Sequence, residues 1–299
     1  MKYKILTLLF LFSMLGMAQQ NLNIIPKPNS VEIKKGHFVL NKETVIVADE
    51  NSFEAKYLQN EINNRTGLEI KISSKYRSKN SIQFGHQASF QSKLTPRAKS
   101  INPIGNLVLA HFVKSTSYLG LHFESYDDHI YNPIIKDEIV SATKVNDGHI
   151  SVYLPQYTIA YLTPFLQAQS QFHFEVFTKE VTQVTNSKNI TFFPISNNVF
   201  TSSLIRCYGI ITAGGFETPA EAMYLNKKLL SIPIVNHFEQ ECNAEAMKKL
   251  GIKVLKKLDQ QFGEHFTHWI NQDNSVKISL THSTNDIVEV LMNNAFKDA

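Results

Sequence analysis

Ile210-Ile211-Thr212-Ala213-Gly214-Gly215-Phe216-Glu217-Thr218-Pro219-Ala220-Glu221-Ala222 is the stretch on which the fold turns. Ile210 and Ile211 close a short apolar run, which reads as a buried strand. Gly214-Gly215 breaks it. Thr218-Pro219 then supplies an N-cap and a proline at the first helical position, and Glu221, three residues after Thr218, completes a capping box. Strand, glycine turn and helix N-terminus in that order predict the crevice of a parallel α/β sheet. There the unused backbone N–H groups and the helix dipole face an anionic ligand.

The text on either side supports the same sheet. Downstream, 229–234 reads as a second apolar strand, 236–240 as a polar loop, and 241–250 as a helix stopped by Gly251. Upstream, 150–154, 172–177 and 190–193 are short apolar runs, and Val254-Leu255 supplies another after the helix. Helical or loop text separates them, which predicts a parallel sheet with helices on both faces. Segments 265–270 and 287–292 read as closing helices.

The series GGFETPAEA, IPI, FEQECNA and LGI resembles the nucleotide-sugar-binding half of glycosyltransferases with the two-domain B-type fold. It is most similar to the family that includes the enzyme completing the lipid-linked peptidoglycan precursor. The resemblance implies a Rossmann-like carboxyl-terminal domain that binds a nucleotide-diphosphate sugar, such as a UDP-sugar, for inverting hexosyl transfer. It implies a sugar or lipid acceptor, allows peripheral membrane association, and calls for no metal and no cofactor. It assigns Gly214, Gly215 and Thr218 to the phosphates and Glu221 to the ribose hydroxyls. Glu239 and Gln240 would face the donor sugar, with Asn243 beside them. Thr218 as a simple cap, and Glu221 as its capping-box partner, remain open at this stage. The nucleobase would lie near Pro194-Ile195-Ser196, unless that segment is a plain turn. Leu154-Pro155-Gln156-Tyr157, the first loop of this half, lacks the glycines expected of a phosphate wall.

The amino-terminal third reads differently. Residues 1–18 carry Lys2 and Lys4, an apolar stretch at 5–15 and Gly16-Met17-Ala18, the form of an export signal. Segment 24–28 is extended around its prolines, strands are expected at 31–33, 37–40, 44–47 and 68–72, and 53–63 has helical period with Thr66-Gly67 as its stop. IIPKPNSVEIKKGHFVL with FEAKYLQNEINNRTG resembles the small α+β domain that precedes the barrel of family-twenty β-N-acetylhexosaminidases. Near residue 83 the text changes. His86-Gln87-Ala88 and GLHFESYDD at 120–128 resemble the end of the acceptor-side domain of the glycosyltransferases, and 92–103 reads as loop. The expected division is a signal peptide at 1–18, a truncated α+β domain at 19–82, an acceptor-side remnant at 83–145 and the nucleotide-sugar domain at 146–299.

Composition narrows the rest. The 299 residues carry a net charge of +4 and are 43% apolar, enough for ordinary cores, with no basic run that would suit nucleic acid. Asp127-Asp128 and Asp137-Glu138 read as solvated residues. The histidines show no metal-ligand spacing, and Cys207 and Cys242 read as small buried thiols. A catalytic base cannot be assigned, because in the resembling family it comes largely from the amino-terminal half. The export signal and a cytoplasmic donor point to different compartments. Two readings follow: a glycosyltransferase-like protein whose transfer activity is in doubt, and an exported non-catalytic carbohydrate-associated module from a hexosaminidase context.

Overall fold

The computed structural model describes residues 39–75, 80–83, 88–98, 118–143, 145–272, 276–278 and 284–296. All of them fall within one compact unit, Lys35–Ala299. The export signal, the extended segment at 24–28 and the strand expected at 31–33 lie outside the described residues, as do His86 and His111.

The predicted parallel sheet is present. β6 (Ile150–Tyr153), β7 (Phe174–Thr178), β9 (Ile190–Pro194), β10 (Gly209–Thr212), β11 (Lys228–Ser231) and β12 (Lys253–Val254) run parallel, and β8 (Thr185–Ser187) pairs antiparallel with β9 at one edge. The order is β12-β11-β10-β6-β7-β9-β8. The crossovers include α3 (Ile159–Gln167), α4 (Asn197–Arg206), α5 (Glu217–Tyr224) and α6 (Phe238–Lys249), and α7 (Phe262–Asn271) follows β12.

Successive strand residues enter opposite cores. Ile211 and Leu230 pack with Leu162, Leu166, Phe266 and Trp269, whereas Ile210 and Leu229 pack with Leu204, Met223 and Met247. A strand buried on both faces has no polar face to show. That is why Ile210-Ile211 and Leu229-Leu230 appear as unbroken apolar text. Trp269 ties the layers together, donating from Nε1 to the Leu229 carbonyl at 3.1 Å. Some limits differ from the expected ones by a residue or two. Phe172 stays outside β7, for example, because Asn189 Nδ2 holds the carbonyls of Leu166, Gln169 and Phe172 in a turn.

From β6 the chain builds outward through β7 and β9, then returns to the other side of β6 with β10, β11 and β12. The carboxyl ends of β6 and β10 therefore flank a topological switch point, the place where an α/β sheet leaves a crevice.

A smaller parallel sheet, β2-β1-β3, is formed by β1 (Val45–Val47), β2 (Lys71–Ser73) and β3 (Ser81–Gln83), with α1 (Phe53–Thr66) between β1 and β2. Ser52 caps α1 by accepting from Ala55 N at 3.2 Å, and Gly67 ends it at φ 70°. Ala55, Leu58 and Ile62 bury against Ile46 and Ile70. The strand expected at 68–72 is displaced to Lys71–Ser73, and Val39 and Leu40 are irregular. The closing helix α8 (Thr284–Phe296) returns to this small sheet, where Val288 packs and Asn285 Oδ1 accepts from Tyr57 Oη at 2.9 Å.

Between the two sheets in sequence lie a parallel pair, β4 (Gly120–Leu121) and β5 (Ile130–Tyr131), and the short helix α2 (Asp137–Val140). Asp137 and Glu138 are exposed in its first turn, as expected of solvated residues. Among the described residues no helix is long and apolar enough to cross a membrane.

Candidate functional site

The Gly214-Gly215 turn lies at the carboxyl end of β10, on one side of the switch point. Its two glycines have different jobs. Gly214 is pinned: its N–H donates to Gln240 Oε1 at 3.1 Å, and its carbonyl accepts from Asn243 Nδ2 at 3.1 Å. Gln240 Oε1 also accepts from Ile234 N at 3.0 Å, so one amide oxygen joins the loops that follow β10 and β11. A Cβ on Gly214 would stand 2.8 Å from the Gln240 carbonyl oxygen and 3.0 Å from Pro233 Cβ. Among the described residues, a Cβ on Gly215 would meet nothing within 4 Å.

Beyond the turn, α5 begins at Glu217 with Phe216 at its N-cap and no side-chain cap. This corrects the expected capping box. Thr218 is the second helical residue and Pro219 the third. A proline fits there because the first N–H groups of a helix have no intrahelical acceptor, so it need not mark the first position. Among the described residues, the amides of Gly215, Phe216, Glu217 and Thr218 form no backbone hydrogen bond across the turn. The arrangement can therefore offer N–H groups and the positive end of a helix dipole to an anion.

Glu221 does not serve Thr218 either. It lies one turn into α5, its side chain 5% exposed, and pairs through Oε1 with Lys136 Nζ at 3.1 Å. Burial raises its pKa, and the Lys136 ammonium opposes that rise. Lys136 immediately precedes α2, and nothing in the sequence singles it out from other surface lysines.

Glu239 and Gln240 are helical, which corrects the loop expected at 236–240, and Asn243 lies in the same helix, as expected. α6 starts at Phe238, with His237 as N-cap accepting from Gln240 N at 3.4 Å. Histidine is not a customary N-cap, so the sequence carries no ordinary start signal at 237. Asn243 is 2% exposed. The structure thus brings Gly214, Gln240 and Asn243 into one hydrogen-bonded group, with Gly215 and Thr218 beside it along the chain. Glu221 sits on the same helix, turned toward Lys136.

Two further groups escaped the sequence reading. His122, 1% exposed, is caged by the rings of Phe90, Phe123, Tyr126 and Phe216, with Asn243 beside it. Its Nδ1 accepts from Phe123 N at 2.9 Å, whereas among the described residues Nε2 has no partner in hydrogen-bonding geometry. Burial pushes its pKa down to about 4. Gln156, in the glycine-poor loop after β6, donates from Nε2 to the Ile232 carbonyl at 2.9 Å, linking the loops that follow β6 and β11. Neither signal was readable in advance, since both depend on packing between distant segments.

Cys207 and Cys242 are free, buried thiols, as expected. Burial raises both, Cys207 to about 11. Among the described residues no cluster of three or more His, Cys, Asp or Glu could hold a metal ion.

Comparison with solved structures gives distant likenesses. The glycosyltransferase SnogD from Streptomyces nogalater is 16% identical over 79% of this chain and 55% of its own, with a TM-score of 0.36. The forosaminyltransferase SpnP is 11% identical over 73% of this chain and 66% of its own, at 0.39. VinC, solved with DTDP, is 14% identical over 60% and 49%, at 0.37. This chain thus spans about half to two thirds of the length of these proteins. No curated protein matches it. A sequence family does: residues 45–271 match the one described as Glycosyl transferase family 1. That span covers the strands of all three sheets and every residue of the site, and it includes segment 53–67 but not segment 24–40 of the text that resembles the hexosaminidase domain. The chain belongs to glycosyl transferase family 1.

Proposed function

We propose that this chain binds a nucleotide-diphosphate sugar, specifically a UDP-sugar, at the switch point between β6 and β10, for hexosyl transfer to a sugar or lipid acceptor. The observation that carries the reading is the division of labour in the glycine turn. Gln240 and Asn243 fix Gly214, and this leaves Gly215 open beside an uncapped helix N-terminus.

Diphosphate oxygens would accept from the Gly215 amide and the first amides of α5, with the Thr218 hydroxyl as a further donor. The charge leaving with the nucleotide is then met by fixed dipoles rather than by a metal. Glu221 would take the ribose. Glu239 would face the donor sugar, whereas Gln240 and Asn243 act through the turn they hold. The Pro194-Ile195-Ser196 segment, which ends β9 and leads into α4, would lie against the base.

Calorimetric titration with UDP tests this. Glu221→Ala is expected to weaken binding about tenfold, the effect of removing a charged hydrogen-bond acceptor. Equal affinity in the two proteins would exclude Glu221 from the site.

A further inference from the structure

The Gly214 carbonyl and the Gly215 N–H belong to one peptide unit, so whatever holds the first also aims the second. The unit is planar and trans, and its two polar groups point in opposite directions. Asn243 Nδ2 donates to the Gly214 carbonyl at 3.1 Å. Asn243 is an amide with two unlike ends, and it is 2% exposed. Turned over, it would set its own oxygen against the Gly214 oxygen. The aim of the Gly215 amide therefore depends on which end of Asn243 faces the turn.

His122 is placed to decide that. Its backbone N–H donates to the Tyr131 carbonyl at 2.9 Å, which anchors it beside β5. Because Nδ1 accepts from Phe123 N at 2.9 Å, the neutral ring carries its proton on Nε2. That N–H is a buried donor with no acceptor in hydrogen-bonding geometry among the described residues. Tyr126, whose ring meets the imidazole edge-on at 5.2 Å, does not take the proton, for its Oη is likewise without a partner there. Burial disfavours a charge on the imidazole. The Asn243 side chain beside it opposes this and favours the protonated ring, as an amide oxygen facing an N–H does. With its oxygen toward the imidazole, Asn243 has its nitrogen toward Gly214. The same imidazole packs at 5.8 Å on Phe216, the residue after Gly215. One ring thus touches both supports of the glycine turn.

We propose that His122 is the positioning residue of the glycine turn: its Nε2–H closes on Asn243 Oδ1 and fixes the Gly214–Gly215 peptide plane, with the Gly215 amide turned to the nucleotide diphosphate. An unmade hydrogen bond at a buried donor is costly, so the imidazole and the amide hold each other in one orientation. The turn at the end of β10 is then set from segment 118–131, which lies outside the main sheet.

The peptide plane is tested without a ligand, and its consequence for the nucleotide rests on the function proposed above. Gly214-Gly215 is the only pair of consecutive glycines in the sequence. Protein labelled with glycine at both the carbonyl carbon and the nitrogen therefore gives one amide–carbonyl correlation, joining the Gly215 N–H to the Gly214 carbonyl. Asn243→Ala shows where that signal goes when the carbonyl is released. His122→Phe keeps a ring in the cage but has no N–H. It should move the signal in the same direction and weaken UDP binding about tenfold. His122→Gln returns an amide N–H near the place of Nε2, and should recover most of both losses. Thermal melts confirm that each variant is folded. In the wild type, the imidazole nitrogen resonances should place the His122 proton on Nε2, and a proton on Nδ1 overturns the proposal whatever the variants do. A ring that serves packing alone would be replaced by phenylalanine with the signal unmoved. That result, or equal displacement in His122→Phe and His122→Gln, also overturns it. A displaced signal with unchanged UDP affinity overturns the link to the nucleotide. A wild type that binds no UDP overturns the proposed function, while the correlation still decides whether His122 sets the peptide plane.

Discussion

Acidification from neutral pH to about 4 is expected to remove about 3 kcal/mol of stability through His122 alone. The imidazole sits inside four aromatic rings with its Nδ1 already accepting from a backbone N–H, so the neutral ring carries its proton on Nε2. A second proton would place a charge in that cage and turn Nδ1 into a donor facing another donor. Hence the folded-state pKa of about 4, against 6.5 for an unburied histidine. The sign follows from which state binds the proton first. Below pH 6.5 the unfolded chain takes it up while the folded chain does not, so stability falls until the folded group titrates near 4. Urea denaturation at stepped pH measures this directly. A His122→Gln variant should flatten most of the slope. A residual slope of the same sign is expected from His149, whose pKa is also lowered by burial and only partly supported by Glu175, 3.3 Å away. A wild-type slope unchanged in His122→Gln would show that the cage admits solvent.

The second large effect separates the two glycines. Gly214→Ala is expected to destabilise the protein by up to about 3 kcal/mol, toward the upper end for overpacking, because the atom its Cβ meets at 2.8 Å is backbone and cannot rotate away. Relief would require breaking the bonds to Gln240 and Asn243 that join the loops after β10 and β11. Gly215→Ala has open space around it and is expected to change stability by no more than about 0.5 kcal/mol. Chemical denaturation of both variants is sufficient. Equal stability losses would mean that the turn is not pinned on one side only.

Much of this architecture was legible because buried parallel strands and glycine turns are local signals. Ile210-Ile211 followed by Gly214-Gly215 gave strand and turn directly, and the apolar runs near 150, 174, 190 and 229 marked the neighbouring strands of the same sheet. Helix starts were read less well. Thr218-Pro219 looks like a cap and first helical residue, but α5 begins two residues earlier, at Glu217 after Phe216, without a side-chain cap. His237 capped α6 where no cap was expected. The site itself was half legible. Gly214, Gln240 and Asn243 do meet, but as the scaffold of the turn, and nothing local distinguishes an amide that holds a backbone from one that faces a ligand. Lys136 and His122 were invisible for a different reason. Each acquires its role from a residue about eighty to a hundred and twenty positions away, and no spacing rule spans that distance.

The central claim is that Gly215, not Gly214, faces a nucleotide diphosphate. A titration of glycine-labelled protein with UDP, followed on the backbone amide resonances, tests it most directly. The Gly215 amide should shift progressively and saturate, because it would donate to a phosphate oxygen. Gly214, already bonded to Gln240, should move little, and Gly148, at the opposite end of β6, should stay in place. A titration in which Gly215 does not move, while other glycines do or none does, would contradict the account.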